Sequence, residues 1–260
     1  MTKRRKESSR KRSARGRTRP GGAQKKGRRS QGKGCRSPPG PGRVQPSPQA
    51  LRELFGACGF KLDDVQTNQF WQYFLRIRAR NQEINLTRIR GFEGVVVKHF
   101  VDCAMAGRLT SLPSPLLDLG SGGGFPGVPL KILHPEIDVI LAEGRKVRAA
   151  FLDEVRRCLR LPRLYLHEHQ IRPDYREPVQ GVVTRAVEPI AATLERVDGC
   201  LVRGGRAIFM KGPSVDPELA EARALFEGAY RLVEDHAYLL PGTDHRRRLV
   251  VYERLEGPGR

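Results

Sequence analysis

No stretch of eighteen or more apolar residues occurs among the 260, so no segment has the length and composition of a membrane-spanning helix. The first residues also lack the apolar core of a secretory signal. From Met1 to Arg43 there is no Leu, Ile, Phe, Trp or Tyr. That segment is Arg-rich and acid-poor like a transit peptide, but it has no side chains from which to build an amphipathic face. Cysteine is scarce: Cys35, Cys58, Cys103, Cys158 and Cys200 are scattered, without a C-x-x-C pair or a His at zinc-ligand spacing. Buried or idle thiols in a reducing cytosol, and no metal, are the expectation.

Acidic residues are nearly missing from one end. Of 48 Lys and Arg and 28 Asp and Glu, residues 1–49 hold 17 and one, the lone acid being Glu7. The remainder holds 31 and 27, so the net charge of +20 belongs almost entirely to the N-terminal segment. Residues 1–46 are low-complexity Arg, Lys, Ser, Gly and Pro. Such a segment cannot offset its ordering entropy, and it reads as a disordered basic tail. It serves either as a solubilising extension or, by releasing counterions, as a non-specific phosphate binder.

Two further regions follow. Residues 47–113 read as a helical lead-in. Ser47-Pro48 is an N-cap followed by Pro at the first helical position, Leu51, Leu54, Phe55 and Cys58 share a face, and Gly59 ends the helix. A second helix fits Val65 to Arg80, and a third fits Glu93 to Leu109. Residues 114–256 alternate short apolar runs with helices. Strands are expected at Leu116–Leu119, Val139–Ala142, Leu164–Leu166, Val182–Thr184, Ala207–Met210, Arg231–Glu234 and Leu249–Tyr252. Helices fit Val128–Leu133, Lys146–Arg160, Pro189–Leu201 and Pro217–Phe226. This alternation implies an α/β, doubly wound, Rossmann-like sheet of seven strands. The last two strands follow each other directly, as an antiparallel edge hairpin does; that ending is typical of the methyltransferase variant of the architecture.

The sharpest motif is Leu116-Leu117-Asp118-Leu119-Gly120-Ser121-Gly122-Gly123-Gly124-Phe125-Pro126-Gly127. An apolar strand runs into glycines and then a helix, at the strand end where open α/β sheets bind ligands. Two ligands fit. Gly122-x-Gly124-x-x-Gly127, with Glu143 some twenty residues on, matches a dinucleotide fingerprint. Asp118-x-Gly120-x-Gly122-x-Gly124 matches the acid-then-glycine pattern of S-adenosylmethionine sites, with Glu143 available for ribose hydroxyls. The second accounts better for the bulky Phe125 and the ring-locked Pro126, which would crowd a pyrophosphate needing free N–H groups.

If the acceptor is nucleic acid, missing groups narrow the atom. The fourth strand leads into Thr184-Arg185-Ala186-Val187, not the Asn/Asp-Pro-Pro-aromatic loop used for exocyclic amines. No cysteine falls in a loop beside the cofactor for C5 chemistry; Cys158 and Cys200 fall in expected helices. Lys211 is a candidate for ribose-oxygen chemistry, but no acid follows the fourth strand to help it. An acceptor with its own lone pair, such as guanine N7, needs only alignment and desolvation. Arg185 is placed to line that site, against the cofactor's carboxylate end or the nucleic acid.

Several further residues then line up with a family. Asn85-Leu86-Thr87, His99-Phe100-Val101-Asp102, Asp118 to Gly127, Phe151-Leu152, Thr184-Arg185-Ala186, Lys211-Gly212 and Arg248-Leu249-Val250-Val251 stand in order across about four-fifths of the chain. In these the chain resembles the RsmG (GidB) methyltransferases, which make N7-methylguanosine in bacterial small-subunit ribosomal RNA. The resemblance implies S-adenosylmethionine as cofactor, 16S ribosomal RNA or the small ribosomal subunit as partner, a cytoplasmic location, and a monomer. It carries cofactor contacts onto Gly120, Phe125, the pair Ile171-Arg172 and Arg185. The family usually has an acid in that pair, where Arg172 stands here, and it does not usually carry a basic tail. His99 and Asp102, one helical turn apart, read equally as a helix-surface pair or as groups near the acceptor. Three rival readings are a nicotinamide oxidoreductase, for which no Tyr-Lys or Asp-His relay is placed, a non-enzymatic RNA-binding protein with a vestigial loop, and a methyltransferase that keeps the donor but uses another RNA or protein acceptor.

Overall fold

The computed structural model describes residues 44–255. The expected disordered tail, residues 1–46, therefore lies outside the described residues except for its last three.

Ser47 caps α1 (Pro48–Ala57), its hydroxyl accepting the Ala50 N–H at 3.0 Å, while Pro48 fills a position where no N–H is needed. Helix α2 (Asp64–Ile84) opens on a reciprocal cap in which Asp63 and Gln66 each accept the other's backbone N–H. It stops at Asn85, whose φ of 49° is a left-handed conformation that Asn tolerates.

The single helix expected over Glu93–Leu109 is three pieces: α3 (Phe92–Val95), a π-helical turn (Val96–Val101), and α4 (Asp102–Leu109). His99, Phe100, Val101 and Asp102 are all buried across the wider turn, and the burial continues through Ala106 of α4. No helix among the described residues is long and apolar enough to cross a membrane.

The rest alternates: β1 (Leu116–Leu119), α5 (Gly127–Leu133), β2 (Val139–Ala142), α6 (Lys146–Leu159), β3 (Leu164–His167), β4 (Val179–Arg185), α7 (Ile190–Val197), β5 (Leu201–Lys211), α8 (Asp216–Phe226), β6 (Tyr230–Leu239) and β7 (Arg246–Arg254). The seven strands lie in the order β3-β2-β1-β4-β5-β7-β6. The first five are parallel, and β7 runs antiparallel between β5 and β6. The expected edge hairpin is therefore present, with its second strand on the inside.

All four residues of β1 are buried, and side-chain alternation sends them to two cores. Leu116, with Leu141, Val183, Ile208 and Val251, packs against Leu51, Phe55, Phe70 and Phe100 of the lead-in helices. Leu117 and Leu119, with Val182, Phe209 and Val250, pack against Ile190, Leu194 and Val197 of α7.

Several boundaries differ from expectation, β4 (Val179–Arg185), α2 and β7 all running longer than the apolar pattern showed. Helix α7 ends at Val197, so Cys200 lies in a turn and Leu201 already belongs to β5. Strand β5 is long because Gly204, at φ 74°, and Gly205 carry it through a polar stretch that hides its period. Strand β6 runs to Leu239 although most of its side chains are polar or half-exposed, as an edge strand with one wet face permits.

Candidate active site

Strand order reverses at β1, which pairs β2 on one side and β4 on the other. The crevice at such a switch point is where this architecture places ligands. A cavity of about 1320 Å³ opens there. Gly120, Gly122, Phe125, Glu143, Ile171, Arg172 and Arg185 all line it, so every cofactor-site residue expected from the sequence converges on one space.

The glycine loop is set by close packing as much as by conformation. Gly124 sits at φ 97°, and a Cβ there would come within 2.5 Å of the Tyr73 hydroxyl and 2.8 Å of Val128. A Cβ on Gly127 would collide with Leu141 and with Asp118 Oδ2. Tyr73, from α2, donates its hydroxyl to the Gly123 carbonyl. The loop is thus clamped by a helix that precedes the strand-and-helix region.

The loop's own N–H groups bear on the two cofactor readings. Gly120 and Ser121 N–H both donate to Ala142 O at 3.0 Å, and Gly124 and Phe125 N–H donate to Ser121 O at 2.7 and 2.9 Å. Gly122 N–H donates to Glu143 Oε2 at 2.9 Å, and Gly127 N–H to Asp118 Oδ2 at 2.9 Å. Val128 and Leu130 N–H are taken by Gly124 O and Pro126 O, and Pro126 and Pro129 have none. Among the described residues, only Gly123 N–H is left without a partner between Gly120 and Leu130. A pyrophosphate would need several such donors. The loop is a wall and not a phosphate cradle.

Glu143, at the end of β2 and 6% exposed, is held by Gly122 N–H and, through Oε1 at 2.8 Å, by Arg145 N–H. Asp118 is fully buried, with Oδ1 unpartnered, and burial pushes its carboxyl up to about 7. Ile171 is buried and Arg172 exposed; the Ile171 carbonyl accepts from Arg196 at 3.1 Å. The N–H groups of this pair have no partner among the described residues.

Arg185 is the hub of the far wall. Its Nη1 donates to Lys98 O and to Asp102 Oδ2, both at 3.3 Å, and its Nη2 meets His99 Nδ1 at 2.7 Å. The guanidinium also lies 5.1 Å from the Phe125 ring centre. The His99 ring stacks on Phe125 at 4.4 Å and 13°, and its Nε2 is 2.6 Å from Thr87 Oγ1. Asn81 in turn grips Thr87 at both N–H and C=O, each at 2.8 Å. His99 and Asp102, ambiguous in sequence, do not line the crevice but hold Arg185 from behind it. Sequence reasoning did not find Tyr73 or Asn81, which look like ordinary residues of an amphipathic helix.

Other candidates are withdrawn. Lys211 Nζ is taken by Glu188 O and Glu218 Oε2, each at 2.7 Å. An acid does follow the fourth strand, Glu188, but its carboxylate is forked by Arg196 at 2.7 and 2.8 Å. Among the described residues no cysteine lines the crevice, and burial pushes the Cys103 and Cys200 thiols up to about 12 and 11, away from nucleophilic use.

A mixed seven-stranded sheet with this strand order, a glycine wall after β1 and an acid closing β2 define a Rossmann-like methyltransferase. The profile of the GidB family, rRNA small subunit methyltransferase G, matches residues 66–237. The chain belongs to that family. It is 46% identical over 215 residues to ribosomal RNA small subunit methyltransferase G 2 of Syntrophobacter fumaroxidans, covering 83% of this chain and 43% of that one. The chain thus spans under half the length of this relative. A protein of the same name from Bdellovibrio bacteriovorus is 44% identical over 207 residues, covering 79% of this chain and 81% of its own. Methyltransferase G of Carboxydothermus hydrogenoformans is 33% identical, covering 79% and 91%.

Proposed function

We propose that the chain transfers a methyl group from S-adenosylmethionine to N7 of a guanine in 16S ribosomal RNA, by positioning and without a general base. The observation that carries the choice of cofactor is the engagement of the loop's N–H groups, which suits a phosphate-free ligand. Glu143 would take the ribose hydroxyls, the unpartnered N–H groups at Ile171 and Arg172 the adenine edge, and Gly120, Gly122 and Phe125 the walls. A main-chain contact at 171–172 accommodates Arg172, because side-chain identity does not enter it. Bound there, S-adenosylmethionine supplies a methyl group activated by its sulfonium charge.

The acceptor assignment rests on what the crevice side chains are already doing. Glu143 is held by two N–H groups, Glu188 by Arg196, and Lys211 by Glu188 and Glu218. None of these is poised to remove a proton, and guanine N7 carries none. What the chain contributes is a stiff, partly dry wall that orients the two reactants and excludes water. Arg185 binds an anionic part of the cofactor or the RNA at that wall. The location that follows is the cytoplasm, where ribosomes are assembled.

The test is transfer of radiolabelled methyl from S-adenosylmethionine to small ribosomal subunits lacking the modification, followed by chemical cleavage at N7-methylguanosine. One labelled guanine is expected. An absence of label on both subunits and free RNA would overturn the reading.

A further inference from the structure

We infer that His99 is a positioning residue: as a neutral acceptor it holds Arg185 so that one edge of the guanidinium, still carrying its charge, stays open to an oxyanion in the crevice. The inference rests on the proposed methyl transfer for its functional consequence, but its geometry stands separately. An arginine has five N–H donors and no acceptor. His99 Nδ1, 2.7 Å from Arg185 Nη2, must therefore accept, and its proton must sit on Nε2, donating to Thr87 Oγ1 at 2.6 Å. Thr87 is fixed to receive it by Asn81 on both sides of its peptide unit. The chain Asn81–Thr87–His99–Arg185 thus sets a single tautomer. Burial and the neighbouring Arg185 lower the His99 pKa to about 3, in keeping with a ring that stays neutral.

Lys98 O, Asp102 and His99 occupy three of the five Arg185 donors. The Nε–H and the second Nη2–H remain without a partner among the described residues. In a planar guanidinium one Nη2–H is parallel to Nε–H, and with His99 on the other Nη2–H these two make the fork that suits two oxygens of a carboxylate or phosphate. Charge is left over as well. The Asp102 carboxylate faces both Arg185, at 3.3 Å, and Arg247, at 3.4 Å, so two guanidinium groups share one negative charge. Had position 99 been an acid, the pair would be neutralised. A neutral imidazole satisfies the donor without cancelling the charge. His99 lies in the π-helical turn and Asp102 opens α4, and both are buried against Arg185. His99 also stacks on Phe125, so the same ring steadies the loop wall and the arginine.

The experiment compares three variants with the wild type in methyl transfer and in binding of S-adenosylmethionine and RNA. His99→Phe keeps a ring against Phe125 and removes the acceptor; turnover is expected to fall at least about tenfold with the fold retained. His99→Asn places a neutral oxygen near the Nδ1 position and should recover to within about threefold of wild type. His99→Asp restores an acceptor but neutralises Arg185, and should remain as impaired as His99→Phe. The source of the oxyanion shows in which constant rises: the KM for S-adenosylmethionine if it is the cofactor's carboxylate, or the KM for RNA, with a salt slope smaller by about one, if it is a phosphate. His99→Phe within threefold of wild type, or His99→Asn no better than His99→Phe, would sink the inference. Nitrogen-15 NMR of the wild-type protein tests it without any variant. The His99 ring should be neutral and protonated on Nε2 at pH 7, and a proton on Nδ1 would overturn it. A wild-type protein inactive in methyl transfer would instead refute the functional reading and leave the NMR result to judge the geometry.

Discussion

Arg185 emerges at the end of β4, half-buried between Phe125, His99 and Asp102, and its side chain lines the crevice with donors to spare. Arg185→Ala is expected to lower turnover at least about tenfold while thermal melting stays within a few degrees of wild type. Unchanged turnover would remove Arg185 from the site. Asp118 makes a different prediction. Its folded pKa of about 7 lies above the ordinary value of 3.8, so the folded state binds the extra proton between those values. Stability from this group is therefore fully present below about pH 4 and is lost as pH rises through about 7. Urea unfolding of wild type and Asp118→Asn at several pH values should show the wild type losing ground to the variant across that window. A constant difference would mean that the carboxyl ionises normally. These residue-scale properties were only half legible in the sequence. Arg185 and Glu143 stand at strand ends, where the motif points; the burial that perturbs Asp118 and His99 depends on helices far away in the chain.

At the scale of elements, the lead-in helices and the glycine loop form one device. Tyr73 reaches from α2 to the Gly123 carbonyl, and Gly124 has no room for a Cβ against that tyrosine. Tyr73→Phe should lose about 1 kcal/mol of support for the loop and weaken S-adenosylmethionine binding several-fold, measured by calorimetry. Gly124→Ala combines a left-handed φ of 97° with a Cβ 2.5 Å from the Tyr73 hydroxyl. It should destabilise by about 2 kcal/mol or more, lowering the melting temperature by roughly 5 °C or more. Periodicity located α1 and α2 well because Leu51, Phe55, Phe70 and Phe74 recur at helical spacing against a core. It did not show the π-helical turn, since adding a residue to a helix leaves the flanking pattern helical on both sides. Nor did it bound β5 and β6, whose polar, half-exposed residues carry no clean alternation.

For the whole molecule, the uneven distribution of charge is the dominant feature. Nearly all of the net +20 lies in the first 49 residues, and the remainder is close to neutral. We propose that this segment adds non-specific attraction to RNA and that residues 44–255 suffice for chemistry. Deleting residues 1–46 should flatten the salt dependence of RNA binding and leave methyl transfer detectable. Loss of all activity would make the segment part of the enzyme. The large exposed apolar side chains, such as Val65, Val147, Tyr165 and Leu225, are scattered over different elements. We accordingly propose a monomer, for which light scattering should return a mass near 29.2 kDa.

The sequence by itself determined the order of the elements, the cofactor crevice and the resemblance to one enzyme family. Each of these depends on local spacing: apolar runs of strand length, glycines after an acid-bearing strand, an arginine closing another. Tertiary structure alone decided which polar groups remain free to act. Whether the loop cradles a phosphate depends on where its N–H groups point, and whether Lys211 or Glu188 can act as a base depends on partners from other elements. The same holds for His99, whose tautomer is set by Thr87 on one side and Arg185 on the other, 12 and 86 residues away in the chain. Hydrogen bonding and desolvation are pairwise in space, so a chain read one residue at a time does not contain them until it has folded.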